Sequence, residues 1–369
     1  MNKSLIALIL LFFLSMATVI ATSIFVFKPQ NSKVIFTNPI VPKSITKIFK
    51  KTIDPPEIET TLIAVGDISF SRGVESMIKK NQDYNYPLLQ VKDYLQTGNL
   101  VFGNLETPIT SGRHILDNEM IFRSDPETAQ TIKNAGISIV SLANNHTPNF
   151  DQAGLLDTFK YLDEAGIKYV GAGQNLDLAN QPVYLEANNL KFAFLAYNDN
   201  DVIPSNYEAG TNRAGTAFMH IDKMTETIKQ IRPNVDFIIV SMHSGDEYQP
   251  TPNDSQIKFA HSAIDTGADL ILGHHPHVVQ TLEKYKNKYI VYSLGNFIFD
   301  QAWSQETKES LAVKIYFGQT EIEKIEFLPL IIENYCQPRP ATAIEAEKII
   351  QRLNFPLDNQ KLLMSPLII

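Results

Sequence analysis

The sequence predicts an α/β fold with buried, largely parallel strands. From Thr60 onward, short apolar runs alternate with stretches of helical period. Three of those helices end at a glycine that leads straight into the next apolar run: Asn134-Ala135-Gly136-Ile137, Glu164-Ala165-Gly166-Ile167 and Asp265-Thr266-Gly267-Ala268-Asp269. Polar side chains gather just past the ends of the apolar runs, where open α/β sheets bind ligands.

The expected strands are Thr61–Val65, Leu100–Phe102, Ser138–Leu142, Lys168–Val170, Lys191–Ala196, Phe237–Ser241, Asp269–Leu272 and Tyr289–Tyr292. Helices are expected near Pro87–Gln96, Pro126–Ala135, Gly154–Ala165, Ile221–Ile231 and Asp254–Thr266. Leu311–Phe317 and Ile322–Ile332 alternate apolar and polar residues and read as a closing hairpin, and Ala343–Leu353 reads as a final helix.

Ahead of this domain, Leu5–Phe27 contains no charged side chain and is long enough to cross roughly 30 Å of hydrocarbon as a helix. It exceeds the usual signal-peptide core of about 7–15 residues, so it reads as an uncleaved transmembrane anchor. Residues 28–59, with five prolines and many lysines, read as a linker. The expected organisation is a tail 1–4, a span 5–27, a linker 28–59, a domain 60–335 and an extension 336–369. Lys28, Lys33, Lys43, Lys47, Lys50 and Lys51 follow the span, and lysine bias alone would put the domain in the cytoplasm.

The chain has 369 residues, 44% hydrophobic and 20% charged, which excludes wholesale disorder. A net charge of −8 argues against a nucleic-acid partner. The single cysteine, Cys336, excludes an internal disulfide and a cysteine-rich zinc module.

The chemistry sits in five clusters: Gly66-Asp67, Gly103-Asn104-Leu105-Glu106, Ala143-Asn144-Asn145-His146, His243-Ser244-Gly245-Asp246-Glu247 and Gly273-His274-His275-Pro276-His277. One histidine is usually structural, but six of eight belong to this set once His261 is included. Imidazole mixed with carboxylate and amide oxygen suits Mn, Fe or Zn better than calcium. On an extended segment His275 and His277 would share a side and fit one centre. A carboxylate can bridge two cations about 3.5–4 Å apart, and such pairs activate water for attack on phosphorus.

These blocks, with Ile68-Ser69-Phe70-Ser71-Arg72 and Tyr292-Ser293-Leu294-Gly295-Asn296-Phe297 and Asp300, resemble the CapA proteins of capsule and poly-γ-glutamate synthesis, within the calcineurin-like metallophosphoesterase fold. The resemblance covers roughly Thr61 to Asp300. It implies a sandwich of sheets flanked by helices and a site for two divalent metal ions. Asp67 would bind one metal, Glu106 would bridge, Asn145, His243 and His275 would bind the second, and His277 would complete the first. His146 would act as general acid or transition-state donor and Arg72 would contact an anion, while Glu247, Asn296 and His274 would support the ligands.

Three departures touch the pocket wall. The first motif is Asp67-Ile68-Ser69 where the wider fold has Asp-x-His. Asn149, Phe150 and Asp151 stand where the family has Asp, an aromatic and Gly, and Ser244 stands where it often has Trp. The implied function is a membrane-anchored, metal-dependent hydrolase or transferase of envelope polymer synthesis, acting on a phosphoester or anionic polymer beside other synthesis and export proteins. Its domain is expected outside the cell, since long domains are exported regardless of nearby charge. The alternative is a non-catalytic subunit that binds metal and polyanion.

Overall fold

The computed structural model describes residues 59–355 and the backbone of residues 362–364. It is a mixed α/β structure of two stacked sheets flanked by helices. The first sheet contains β1 (Thr60–Ile68), β2 (Leu100–Leu105), β3 (Ile139–Ser141) and β4 (Lys168–Val170) in parallel. A two-stranded ribbon joins β5 (Ala172–Gly173) to a later strand. The second sheet contains β6 (Val183–Ala187) and β7 (Leu190–Asn198). The ribbon partner is β8 (Gly215–Thr216), and β9 (Phe237–His243), β10 (Leu270–His274), β11 (Leu282–Tyr285) and β12 (Lys288–Val291) complete the second sheet. Its order is β11-β12-β10-β9-β7-β6, parallel in the centre and antiparallel at both edges. The chain then returns to the first sheet through β13 (Asn296–Ile298), β14 (Glu309–Phe317), β15 (Ile322–Glu333), β16 (Gln337–Pro340) and β17 (Leu362–Met364). That sheet runs β16-β15-β14-β1-β2-β3-β4, with β13 beside β1 and β17 beside β15.

Strand periodicity explains the layering. Along β1, Leu62 and Ala64 enter the core between the sheets with Phe102, Phe194 and Leu272, whereas Ile63 and Val65 face the helical layer with Ile132, Leu155 and Phe159. The second sheet covers its outer face with the helices Ile221–Ile231 and Asp254–Thr266, through Met224, Ile228, Phe259 and Ala263. Both faces of the central strands are covered, so they read as continuous apolar runs. The three glycines expected to end helices all have positive φ, at Gly136, Gly166 and Gly267.

The eight expected strands and the tail hairpin form. The helix expected near Pro87–Gln96 is instead a 3-10 turn at Tyr86–Leu88 and a short helix at Lys92–Leu95. The helix Arg72–Asn81 was not expected, because only Val74 and Ile78 supply it with buried apolar residues. Beyond residue 335, β16 pairs with β15, and the helix Ala343–Arg352 places Ile349 and Ile350 in the intersheet core.

The expected location, a single-pass cell-membrane protein with an extracytoplasmic domain, is corrected. Among the described residues no helix is long and apolar enough to cross a membrane. Asp151–Ala165 has 15 residues, about 22 Å of helix against roughly 30 Å of hydrocarbon. The apolar run 5–27 that motivated the assignment, and the linker that follows it, lie outside the described residues, so the membrane assignment is withdrawn.

Candidate metal centre

The site forms where β1 changes partners. Its lower half pairs with β14, and at Asp67 and Ile68 it pairs with β13. The exchange passes at Gly66, where a side-chain carbon would lie 1.9 Å from the Gly295 carbonyl oxygen. Asp67 emerges just past this crossing, fully buried, and accepts from Asn104 Nδ2 at 2.8 Å. Glu106 follows the end of β2, also fully buried.

Asn144 shapes the turn after β3. Its Oδ1 accepts from the backbone N–H of His146 (3.1 Å) and Thr147 (2.7 Å), while its Nδ2 donates to Asn104 Oδ1 (3.0 Å) and the Leu105 carbonyl (2.9 Å). The turn separates two neighbours that a regular strand would send to opposite faces. Asn145 Oδ1 lies 2.9 Å from His243 Nε2, and His146 Nε2 lies 4.0 Å from Glu106 Oε1.

His275 and His277 do not lie on an extended segment. Their φ angles are +98 and +58, so the expectation that they share one side is overturned. His275 Nδ1 lies 3.1 Å from His243 Nε2, whereas His277 Nδ1 lies 3.5 Å from Asp67 Oδ2 and its Nε2 3.8 Å from Glu106 Oε1. Asn296 orients His277. The Asn296 Nδ2 donates to the Thr307 carbonyl (3.0 Å), so its Oδ1 is the acceptor for His277 Nδ1–H (2.8 Å), which leaves Nε2 bare.

Glu106 Oε1 is the focal atom. It is buried without a hydrogen-bond partner, yet the Nε2 atoms of His146, His243 and His277 lie 3.8–4.0 Å away. Ligand atoms of Asp67, Glu106 and His243 fall within 4.8 Å of one another. An isolated carboxylate oxygen in a dry pocket is costly, and facing imidazoles do not relieve it unless a cation stands between them. The donor set fits a divalent transition metal.

The remaining expected residues lie around this cluster. Arg72 pairs with Asp300 and donates to the Glu119 carbonyl at 3.2 Å. Its guanidinium lies 4.4 Å over the Phe122 ring, and its Nε is buried and unpartnered. Phe122 in turn packs 3.8 Å from the His146 ring. Glu247 is exposed on the loop after β9. His274 lies under the site against Phe102, with Nε2 3.3 Å from the Val65 carbonyl. Sequence reading gave no role to Asn104, Asn144, Phe122 or Asn149, although three of these lie inside or beside the motifs.

The family model described as bacterial capsule synthesis protein PGA_cap matches residues 61–301. The chain belongs to this capsule synthesis family. It is 32% identical to the capsule biosynthesis protein CapA of Bacillus anthracis, over 79% of this chain and 72% of that one. It is 31% identical to the PGA biosynthesis protein CapA of Bacillus subtilis, over 78% and 76%. Among solved structures, a calcineurin-like phosphoesterase of Bacillus subtilis aligns over 81% of this chain and 97% of that one, with 12% identity and a TM-score of 0.48. At that score the likeness carries no weight for the chemistry.

In this member of the capsule synthesis family, burial dominates the electrostatics of the centre. It pushes the Asp67 carboxyl up to about 7, and with the charges of Asp67 and Glu247 it holds Glu106 well above the carboxylate range. Burial also pushes His146 and His275 down to about 3 and His274 to about 4, and lowers His243 and His277. Below about pH 6.5 the unfolded chain protonates all five imidazoles, whereas burial keeps His146, His274 and His275 neutral in the folded chain down to about pH 4 and holds His243 and His277 below their usual range. Against this, burial raises the Asp67 and Glu106 carboxyls, so the folded chain keeps at most two carboxyl protons that the unfolded one releases. The unfolded state therefore binds more protons, and stability falls as pH falls through this window. The melting temperature of metal-free protein is expected to drop steadily from about pH 6 to 4.5. A flat profile would contradict the buried neutral cluster.

Proposed function

We propose that this chain is a metal-dependent hydrolase or transferase of capsule polymer synthesis, acting on a phosphoester or an anionic polymer beside other proteins of that synthesis. The observation that carries the proposal is the orphaned Glu106 Oε1 among three imidazole Nε2 atoms. Asp67, His277 and Glu106 would hold one divalent ion (Mn, Fe or Zn), and Glu106, Asn145, His243 and His275 a second. When bound, such a pair polarises a phosphoryl oxygen and lowers the pKa of water.

The residues themselves do the positioning. Asn296 holds His277 with Nε2 inward, and Asn104 ties Asp67 to the same floor. Phe122 walls the His146 side against water, while His146 remains partly exposed at the opening. Arg72 Nε is the nearby cationic donor with no partner of its own.

Metal analysis of purified protein, followed by turnover of bis-nitrophenyl phosphate with added Mn²⁺, tests this reading. About two metal equivalents and metal-dependent turnover are expected. Metal without turnover on a panel of phosphoesters would favour a non-catalytic, polyanion-binding role, and absence of metal would overturn the site.

A further inference from the structure

The loop after β9 passes through Tyr248, whose φ of +63 is strained for a residue with a side chain. The Tyr248 N–H donates to the Pro276 carbonyl at 2.8 Å, inside the His275-Pro276-His277 turn. Its ring lies over His277, centroids 6.2 Å apart at 28°, and meets Trp303 edge-on at 5.9 Å and 77°. Gln301 Nε2 reaches the Tyr248 hydroxyl at 3.5 Å, and Gln301 Oε1 accepts from Asn296 Nδ2, the amide that orients His277. Backbone, ring and hydroxyl all tie Tyr248 to the His277 side of the centre.

Despite this anchoring, Tyr248 is 42% and Trp303 62% exposed. Large aromatic side chains held firmly but left open beside a buried polar centre offer a flat apolar face to a ligand. Glu247, exposed next to Tyr248, disfavours negative charge on that face.

We propose that Tyr248 and Trp303 form the substrate-selecting wall of the metal centre, against which a neutral, planar group carried next to the substrate oxyanion is laid. This rests on the metal-dependent reading above and deepens it by naming the substrate class: an oxyanion whose neighbouring group is an aromatic ring or an amide plane. Ring stacking of this kind contributes about 0.5–1.5 kcal/mol, a factor of roughly 2–10 in affinity.

Trp303 is the single tryptophan of the chain and so reports on its own surroundings. Metal-loaded full-length protein would be titrated with phenylphosphonate and with methylphosphonate, following Trp303 emission and, in parallel, binding heat. The phenyl ligand is expected to bind roughly 2–10-fold tighter and to shift the emission, and the methyl ligand to bind without shifting it. Tyr248→Ala, and independently the exposed Trp303→Ala read by heat alone, should erase that ratio while retaining metal. Equal affinities in the native protein, or a ratio that survives both variants, would overturn the wall alone. Native protein that retains no metal and binds neither phosphonate would overturn the metal-centre reading and the wall with it.

Discussion

Glu106→Ala is expected to lower metal affinity by more than about 100-fold, beyond the 10–100-fold typical of losing a group that only supports a ligand. Glu106 Oε1 faces His146, His243 and His277 at once, so both proposed ion positions lose the same oxygen. A purely structural role for this carboxyl makes a different prediction, and Glu106→Gln separates the two. Burial already holds the carboxyl well above its usual range, so removing its charge relieves a desolvation cost. Metal-free Glu106→Gln should therefore melt at or above the metal-free native protein, yet lose the rise in melting temperature that added Mn²⁺ gives the native chain. Full metal content in Glu106→Ala would reject the assignment.

His146→Ala is expected to keep its metal and fold while losing about 10²–10⁴-fold in turnover on esters with poor leaving groups. Asn149 Oδ1 accepts the Phe122 N–H at 2.8 Å, so it is the amide oxygen, and it accepts His146 Nδ1–H at 3.0 Å. The neutral ring therefore carries its proton on Nδ1 and is bare at Nε2, on the side of Glu106. Burial pushes this imidazole down to about 3. In the proposed role, the proton given to a leaving oxygen would be one that Nε2 first takes from the attacking water. Nitrophenyl esters, whose leaving groups need little protonation, should suffer much less. An equal loss on both classes rejects the proton-transfer role, and loss of metal makes His146 a ligand.

Much of this site was legible because of how an α/β sheet is built. Apolar runs mark the strands, and the polar residues directly after them fall on one edge. That logic reaches Asp67, Glu106, Asn145, His243 and His275 without knowledge of any contact. Family membership, visible in the same motifs, follows from residues in chain order and needs no coordinates. The short edge strands β6 and β11 were not legible, since they are only five and four residues long and each is held by one neighbour.

The sequence by itself determined eight of the strands and the tail hairpin, the glycine stops, the motif residues and the family. The tertiary structure alone decided which atoms face each other. His275 and His277 part because the turn after β10 takes positive φ angles at both, and no residue type announces that. The tautomer of His146 depends on Phe122 and Asn149, 24 residues before and three after it, meeting across the loop. Tyr248 reaches His277 only because β9 and β10 are adjacent and its own N–H closes on Pro276. Periodicity encodes which face of an element is buried. Turn dihedrals and contacts between distant loops are set by packing of the whole domain, and the chemistry depends on them.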